Sequence, residues 1–322
     1  MSSRDRIRRG ALALLLVLAA TAISAVPAGA QAAARTGAFA DPEPGGRGAA
    51  LGGALSAVVD DPSAQHWNPA RLVALERPAM LVSYADLFGL GLVQQAALFL
   101  AYPLAGREID WEGGRLRARP GRTDAAYGLG LQSTVVDLDP ESYTEYDISL
   151  GYARRGWLDL RYGGAAHLLL VDSELNGVGG NGFALDLALS RPLHAWLEGS
   201  LVLRSLFSSL RWEDETSESL CPRALIGLCG RAADALRIPL VAFYDLDRAE
   251  LVQLSGGVEW EPVGPALTLR GGLRWRDDGA DAELRAAVGA GLRWRDVGFD
   301  YGLASGREEL GDTHRLSLQL RF

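Results

Sequence analysis

The sequence predicts an all-β protein: a transmembrane antiparallel β-barrel of about 14 strands with a short N-terminal helical plug. Three observations lead there. From residue 79 onward apolar and polar residues alternate one by one, the period of a strand. Several of these runs reach ten or more residues, the length a tilted membrane strand needs, whereas globular strands centre on about five or six. Their polar faces carry too many charges for a dry core, which a sandwich would require. The chain divides into an export signal over 1-30, a plug segment over 31-78 and a barrel over 79-322.

The first element is the export signal. Arg4, Arg6, Arg8 and Arg9 form a basic front, Ala11 to Ala25 an apolar run, and Ala28-Gly29-Ala30 a small-residue cleavage site, so the mature chain is expected to begin at Gln31. No Cys follows the apolar run, which argues against a lipid-anchored N-terminus; an uncleaved membrane anchor is the alternative. Without the signal the formal charge moves from −8 to about −11. That balance argues against a nucleic-acid partner, which needs clustered positive charge. All basic side chains are Arg; there is no Lys.

The plug segment follows. Its GGRGAALGG run supplies glycines for tight backbone paths. DDPSAQHWNPARL, Asp60 to Leu72, breaks the strand period. Asp61 can cap a helix start, Pro62 suits the first helical position, and Asn68-Pro69 opens a second turn in the same way. The natural berth of such a polar, aromatic element is the barrel interior, since an open pore that wide would leak. A helix outside the pore is the competing reading. Asp60, Asp61, Trp67, Asn68, Pro69, Ala70, Arg71 and Leu72 are the candidate plug or gate, with Trp67 packing on small lumen residues and Asp60, Asp61 and Arg71 meeting opposite charges on the wall.

Strands are expected near 79 to 86, 92 to 102, 123 to 135, 145 to 154, 157 to 171, 182 to 190, 194 to 207, 223 to 230, 236 to 245, 250 to 261, 266 to 276, 282 to 295, 297 to 304 and 313 to 322. In DAELRAAVGAGLRWR, Ala282, Leu284, Ala286, Val288, Ala290, Leu292 and Trp294 make an oily face. Leu267, Leu269, Leu273 and Trp275 do the same in PALTLRGGLRWR. Trp157, Trp260, Trp275 and Trp294 stand at strand ends, where interfacial girdles form. Charges expected to face a water-filled lumen are Arg270, Glu283, Arg285, Arg293, Asp300 and Arg321, with Asp147, Asp159, Arg161, Asp186 and Glu198 on the same kind of face. RRG, RP, EPVG and RDVG read as tight turns, Asp172 to Asn181 and Ser208 to Leu220 as longer outer loops. Leu316, Leu318, Leu320 and terminal Phe322 form one outward stripe. A chain ending this way resembles the C-terminal insertion signal of outer-membrane barrels; an ordinary last strand is the alternative.

Little in the chain suggests catalysis. GVGGNG, Gly177 to Gly182, fits a dinucleotide-loop pattern but is followed by the strand-like FALDLALS rather than a helix. His66, His167, His194 and His314 lack metal-like spacing, and no G-x-S-x-G occurs, so neither a metal, a cofactor nor an enzymatic activity is expected. Cys221 and Cys229 could bridge in an exported chain, but reading PRALIGLCGR as a strand places them too far apart; the two readings exclude each other.

The stretch GRGAALGGALSAVVDDPSAQHWNPARL resembles the glycine-rich N-terminal segment and Trp-Asn-Pro-Ala-Gly-Leu signature of the PorV/PorQ-like outer-membrane proteins, which belong with the long-chain fatty-acid transporter (FadL-like) barrels. VSYADLFGLG resembles the first hairpin of that family, and ALTLRGGLRW with FDYGLASGREELGDTHRLSLQLRF its closing strands. Arg71 departs from the pattern, standing where the family has Gly. The resemblance implies a 14-stranded barrel with an N-terminal plug in the cell outer membrane, in contact with outer-membrane lipids and the barrel assembly machinery. It implies either passage of a hydrophobic small molecule or a part in secretion of an exported protein. The acidic outer loop with Glu213, Asp214, Glu215 and Glu218 suits the second role, the plugged wall the first.

Overall fold

Alternation along the chain closes into a ring. In the computed structural model, which describes residues 38–39, 43–112, 115–138, 140–174, 177–277, 282–306 and 311–322, fourteen long strands pair antiparallel with their chain neighbours. They are β1 Ala79–Leu87, β2 Val93–Glu112, β3 Arg115–Asp137, β4 Ser142–Arg155, β5 Arg161–Ser173, β6 Gly180–His194, β7 Leu197–Trp212, β8 Arg223–Ala233, β9 Leu236–Asp245, β10 Glu250–Trp260, β11 Leu267–Asp277, β12 Ala282–Trp294, β13 Val297–Ala304 and β14 Thr313–Arg321. Pairing of β1 with β14, from Ala79 opposite Arg321 to Asp86 opposite His314, closes the barrel. Closure removes the free edges of the barrel wall itself, as a wall in lipid requires. The export signal read at 1-30 lies outside the described residues.

The two faces of each strand differ as the alternation demands. Leu284, Val288 and Leu292 of β12 are exposed outward, while Glu283, Arg285 and Arg293 are half-buried on the inner face. Leu316, Leu318 and Phe322 are likewise exposed, and Ser317 and Gln319 between them are buried. No helix among the described residues is long and apolar enough to cross a membrane.

Four expectations change. β2 and β3 run on past residues 102 and 123 as a two-stranded hairpin, paired from Leu104 opposite Ala125 to Glu112 opposite Arg115. Pairing with β1 ends at Ala101 of β2 and pairing with β4 at Ala125 of β3, so both hairpin strands are edges beyond them. That is where Pro103 and Pro120 cost no ladder bond. The stretch 157 to 160 is a turn rather than the start of β5: Trp157–Asp159 is a single 3-10 turn with Leu158 and Asp159 at positive φ, so Asp159 is a turn residue that Arg155 holds. Trp275 is buried, unlike exposed Trp157, Trp260 and Trp294; its cross-strand neighbours are Leu254 and Leu284. Finally, both cysteines are free, with Cys229 within β8 and Cys221 before it, which leaves the strand reading standing.

Candidate functional site

The interior is filled by residues 43 to 75. Glycines at positive φ, Gly45 (φ 90), Gly52 (φ 62) and Gly53 (φ 85), turn the chain around a short helix, α1, Gly46–Ala50. This helix was not legible in the sequence, since GRGAA is a poor helix former. It forms because the wall leaves it room. A Cβ at Gly302 would collide with the Gly46 carbonyl, one at Gly289 with Ala50, and one at Gly272 with the Leu51–Gly52 backbone. Gly302→Val is therefore expected to expel α1 from its seat, seen as new protease cleavage within 43–75 without loss of the folded barrel; an unchanged digest would contradict the fit.

The helix expected over 60 to 72 is two shorter pieces: α2, Ala64–Trp67, and a 3-10 turn, Pro69–Ala74. Asn68 separates them in an extended conformation (φ −167, ψ 93). Its Oδ1 accepts from the Ala70 amide at 3.1 Å, with Pro69 in the first turn, as the Asn-Pro pair predicts. Asp61 does not cap a helix directly. Its Oδ1 accepts from the amide and hydroxyl of Ser63, and the helix begins after Ser63. Asn68 Nδ2 also donates to the Ser56 carbonyl at 2.7 Å. Trp67 packs chiefly on the plug itself: its indole covers Gly48, lies edge-on to His66, and donates to the Pro44 carbonyl at 3.3 Å. Trp67, Asn68, Ala70 and Leu72 are at most 1% exposed. The plug is thus packed closely against the wall, while inner-face charges such as Glu283, Arg285 and Arg293 stay half-buried.

Charged anchors tie plug to wall: Arg274 of β11 pairs with Glu43 and donates to the Gly52 carbonyl at 3.2 Å, and two larger clusters do the same. In the first, three arginines converge on buried Glu259 of β10. Arg47 of α1 donates through Nε at 2.8 Å and Nη2 at 3.1 Å, Arg270 of β11 through Nε at 2.8 Å, and Arg237 of β9 lies at 3.1 Å. Arg47 also reaches Asp60 at 2.5 Å and Asp61 at 3.2 Å, Arg237 reaches Asp60 at 3.2 Å, and Arg270 reaches Asp300 at 2.6 Å. Charges out of water are tolerated when paired in this way. Asp61 thus pairs inside the plug, whereas Asp60 bridges plug and wall. Arg321 has Arg293, Asp60 and Asp61 as its electrostatic neighbours, while Glu283 and Arg285 pair with each other at 2.8 Å away from the plug.

The second anchor is Arg71. Its Nε donates to the Val59 carbonyl at 2.6 Å, and its Nη1 lies 3.2 Å from Glu198, which Arg161 also meets at 3.0 Å. A glycine here would leave Glu198 with Arg161 and the Ser190 hydroxyl. The position is therefore built for this arginine.

Burial works against ionisation of Asp60, but Arg47 and Arg237 outweigh it and hold its carboxyl well below its usual 3.8. The sign follows: a depressed folded value contributes stability that is fully present above the unfolded value and is lost as pH falls through the folded one. The plug is expected to stay seated from neutral pH down to about 4, by the ordinary aspartate value, and to loosen only below it. Conductance that rises between pH 5 and 6 would contradict this.

Beyond the anchors lie two features that sequence reasoning did not assemble. Gln132 links His66 of α2 (3.4 Å) to Asp147 (3.2 Å), and His167 stands between Asp147 (2.9 Å) and Asp186 (3.5 Å). Asp186 ends this polar chain at a bulge in the β6–β7 pairing. Leu187 opposes Leu203 but Leu185 opposes Phe207, so β7 carries two extra residues, and Ser205, at φ 51, donates its amide to Asp186 Oδ1 at 2.7 Å. The second feature is apolar. Ala188, Val202, Leu225 and Phe243 form one cross-strand row on β6 to β9, facing inward with Val241 against Ala54 and Ala70 of the plug. The signal was present: PLVAFY is apolar on both faces, which alternation alone does not flag.

Among the described residues no group of His, Cys, Asp and Glu could hold a metal ion. No protein-family model and no curated protein matches the chain. Solved structures do. The P. putida toluene transporter TodX superimposes with a TM-score of 0.63 at 12% identity over 88% of this chain and 99% of that one. The chain shares the fold of these channels. The CymD monoaromatic hydrocarbon channel gives 0.62 at 12% identity, and a Pseudomonas aeruginosa FadL homologue 0.57 at 11%, each over 88% of this chain and 99% of its own. The 14-stranded barrel expected from the resemblance thus agrees with the fold of these structures.

Proposed function

We propose that the chain is a non-enzymatic outer-membrane channel for hydrophobic small molecules, kept closed by its N-terminal segment. The observation that carries this reading is the inward apolar row of Ala188, Val202, Leu225 and Phe243, placed beside the two-residue bulge at Ser205. Such solutes are stopped by the polar surface layer, not by hydrocarbon. A barrel that receives them outside and releases them sideways through its wall is sufficient. Outside the bulge stand Phe183, Leu187 and Phe207, all exposed, so an oily surface lies on both sides of it. Asp60, Asp61, Trp67, Asn68, Pro69, Ala70, Arg71 and Leu72 form the gate in this reading, and Leu316, Leu318, Leu320 and Phe322 the stripe read by the assembly machinery.

The names of the similar structures, a toluene transporter and a monoaromatic hydrocarbon channel, suit that solute class. The resemblance to PorV/PorQ-like proteins rests on the sequence of the N-terminal segment, the first hairpin and the closing strands. A secretion role draws no support from these likenesses. Vesicles whose outer leaflet is lipopolysaccharide should take up a monoaromatic hydrocarbon faster with the purified protein than without it, with no gain for glucose. Equal acceleration of both solutes, or of neither, would overturn the proposal.

A further inference from the structure

The two rims of the barrel differ in charge. At the end where β1 begins and β14 finishes, the exposed arginines are Arg77, Arg122, Arg154, Arg191, Arg231 and Arg295, against the exposed carboxylates Glu76, Asp124, Asp234 and Asp296, of which Asp296 pairs with Arg77. At the opposite end, exposed carboxylates dominate, Asp172, Glu174, Glu213, Asp214, Glu215 and Glu218 among them. Arg211 is the single exposed arginine there among the described residues.

The exposed tryptophans sort in the same way. Trp157, Trp260 and Trp294, the exposed tryptophans among the described residues, all stand on the arginine rim, with exposed Leu158, Leu193 and Phe322 near them in the turns and at the chain end. At the β12–β13 turn the Arg295 guanidinium lies 5.0 Å from the Trp294 ring centroid. At the β4–β5 turn Trp157 and Leu158 project between Arg154 and Tyr162, both exposed.

We propose that this rim is a binding belt for anionic phospholipid. Indole rings settle at the level of lipid headgroups, and a guanidinium is a planar double donor matched to a phosphate diester. An arginine held next to an exposed indole therefore meets the phosphate while the indole meets the glycerol and upper acyl chain. The acidic rim repels the same headgroup, so the lipid is bound at one end only. The belt turns the terminus end toward the phospholipid leaflet. This inference rests on the membrane-spanning reading above and adds the lipid class and the rim that selects it.

The test uses the full-length protein. In detergent, native mass spectrometry with equal amounts of phosphatidylglycerol and phosphatidylcholine should show at least threefold more retained phosphatidylglycerol. The combined variant Arg154→Gln, Arg191→Gln, Arg295→Gln should lose that preference while the barrel migrates as folded on an unheated gel. Glu213→Gln with Glu215→Gln should keep it. An equal preference for both lipids in the wild type would overturn the belt. So would retention of glycerol phosphate as good as that of the lipid, or loss of preference in the acidic-rim variant. Insertion into phosphatidylcholine vesicles separates the two levels: a protein that enters them without anionic preference refutes only the belt, and one that enters no vesicle refutes the membrane reading as well.

Discussion

Glu259→Ala is expected to unseat the plug and raise single-channel conductance in planar bilayers while the barrel stays assembled. Glu259 is 1% exposed and faces Arg47, Arg237 and Arg270 together. Without it the three guanidiniums are left to Asp60, Asp61, Asp300 and Glu261, which cannot neutralise them at the same place. Removing one partner of a buried ion pair costs about 3–5 kcal/mol because the remaining charge is buried without compensation. That cost falls on the contact between α1 and the wall, since the β10 backbone ladder does not involve the side chain. Glu259→Gln keeps the shape and should open the channel less. Unchanged conductance in both variants would show that the anchor does not hold the plug.

The second large effect is expected from Trp67→Ala with Asn68→Ala. Deleting a buried tryptophan side chain costs about 3–5 kcal/mol. Losing the Asn68 cap adds about 1 kcal/mol, and its bond to the Ser56 carbonyl goes with it. The two sites are adjacent, so their effects need not add. Conductance should rise in the double variant. Trp67→Phe, which loses only the bond to the Pro44 carbonyl and part of the ring, should stay close to wild type. No rise in the double variant would mean that the lumen is closed by something other than this segment.

The barrel was legible because lipid enforces alternation. A wall with oil outside must present an apolar residue at every second position, and β12 and β14 show this without interruption. Legibility failed where that force is absent. The β2–β3 hairpin beyond residue 102 has no neighbouring strand on either side, so its prolines and glycines read as loop. Trp275 shares the girdle pattern of Trp294, yet the packing that buries it is not encoded in the period. In the plug, capping chemistry placed the Asn68-Pro69 turn correctly, since that bond is local. α1 was invisible because its stability comes from glycines more than 200 residues away in the chain, Gly272, Gly289 and Gly302. The same holds for Glu259, whose partners come from α1, β9 and β11. A charge at an inward position announces a partner but not its identity.

The account depends most on the sidedness of the strands. In a variant with Cys221 and Cys229 replaced by Ser, single cysteines along β12 can carry a fluorophore in lipid vesicles. Leu284→Cys, Val288→Cys and Leu292→Cys should be quenched by a lipid-phase quencher, and Arg285→Cys and Arg293→Cys should not. Quenching that does not alternate along the strand, or a protein that stays dissolved without detergent, would contradict a wall with its charges inward and its oily residues toward lipid.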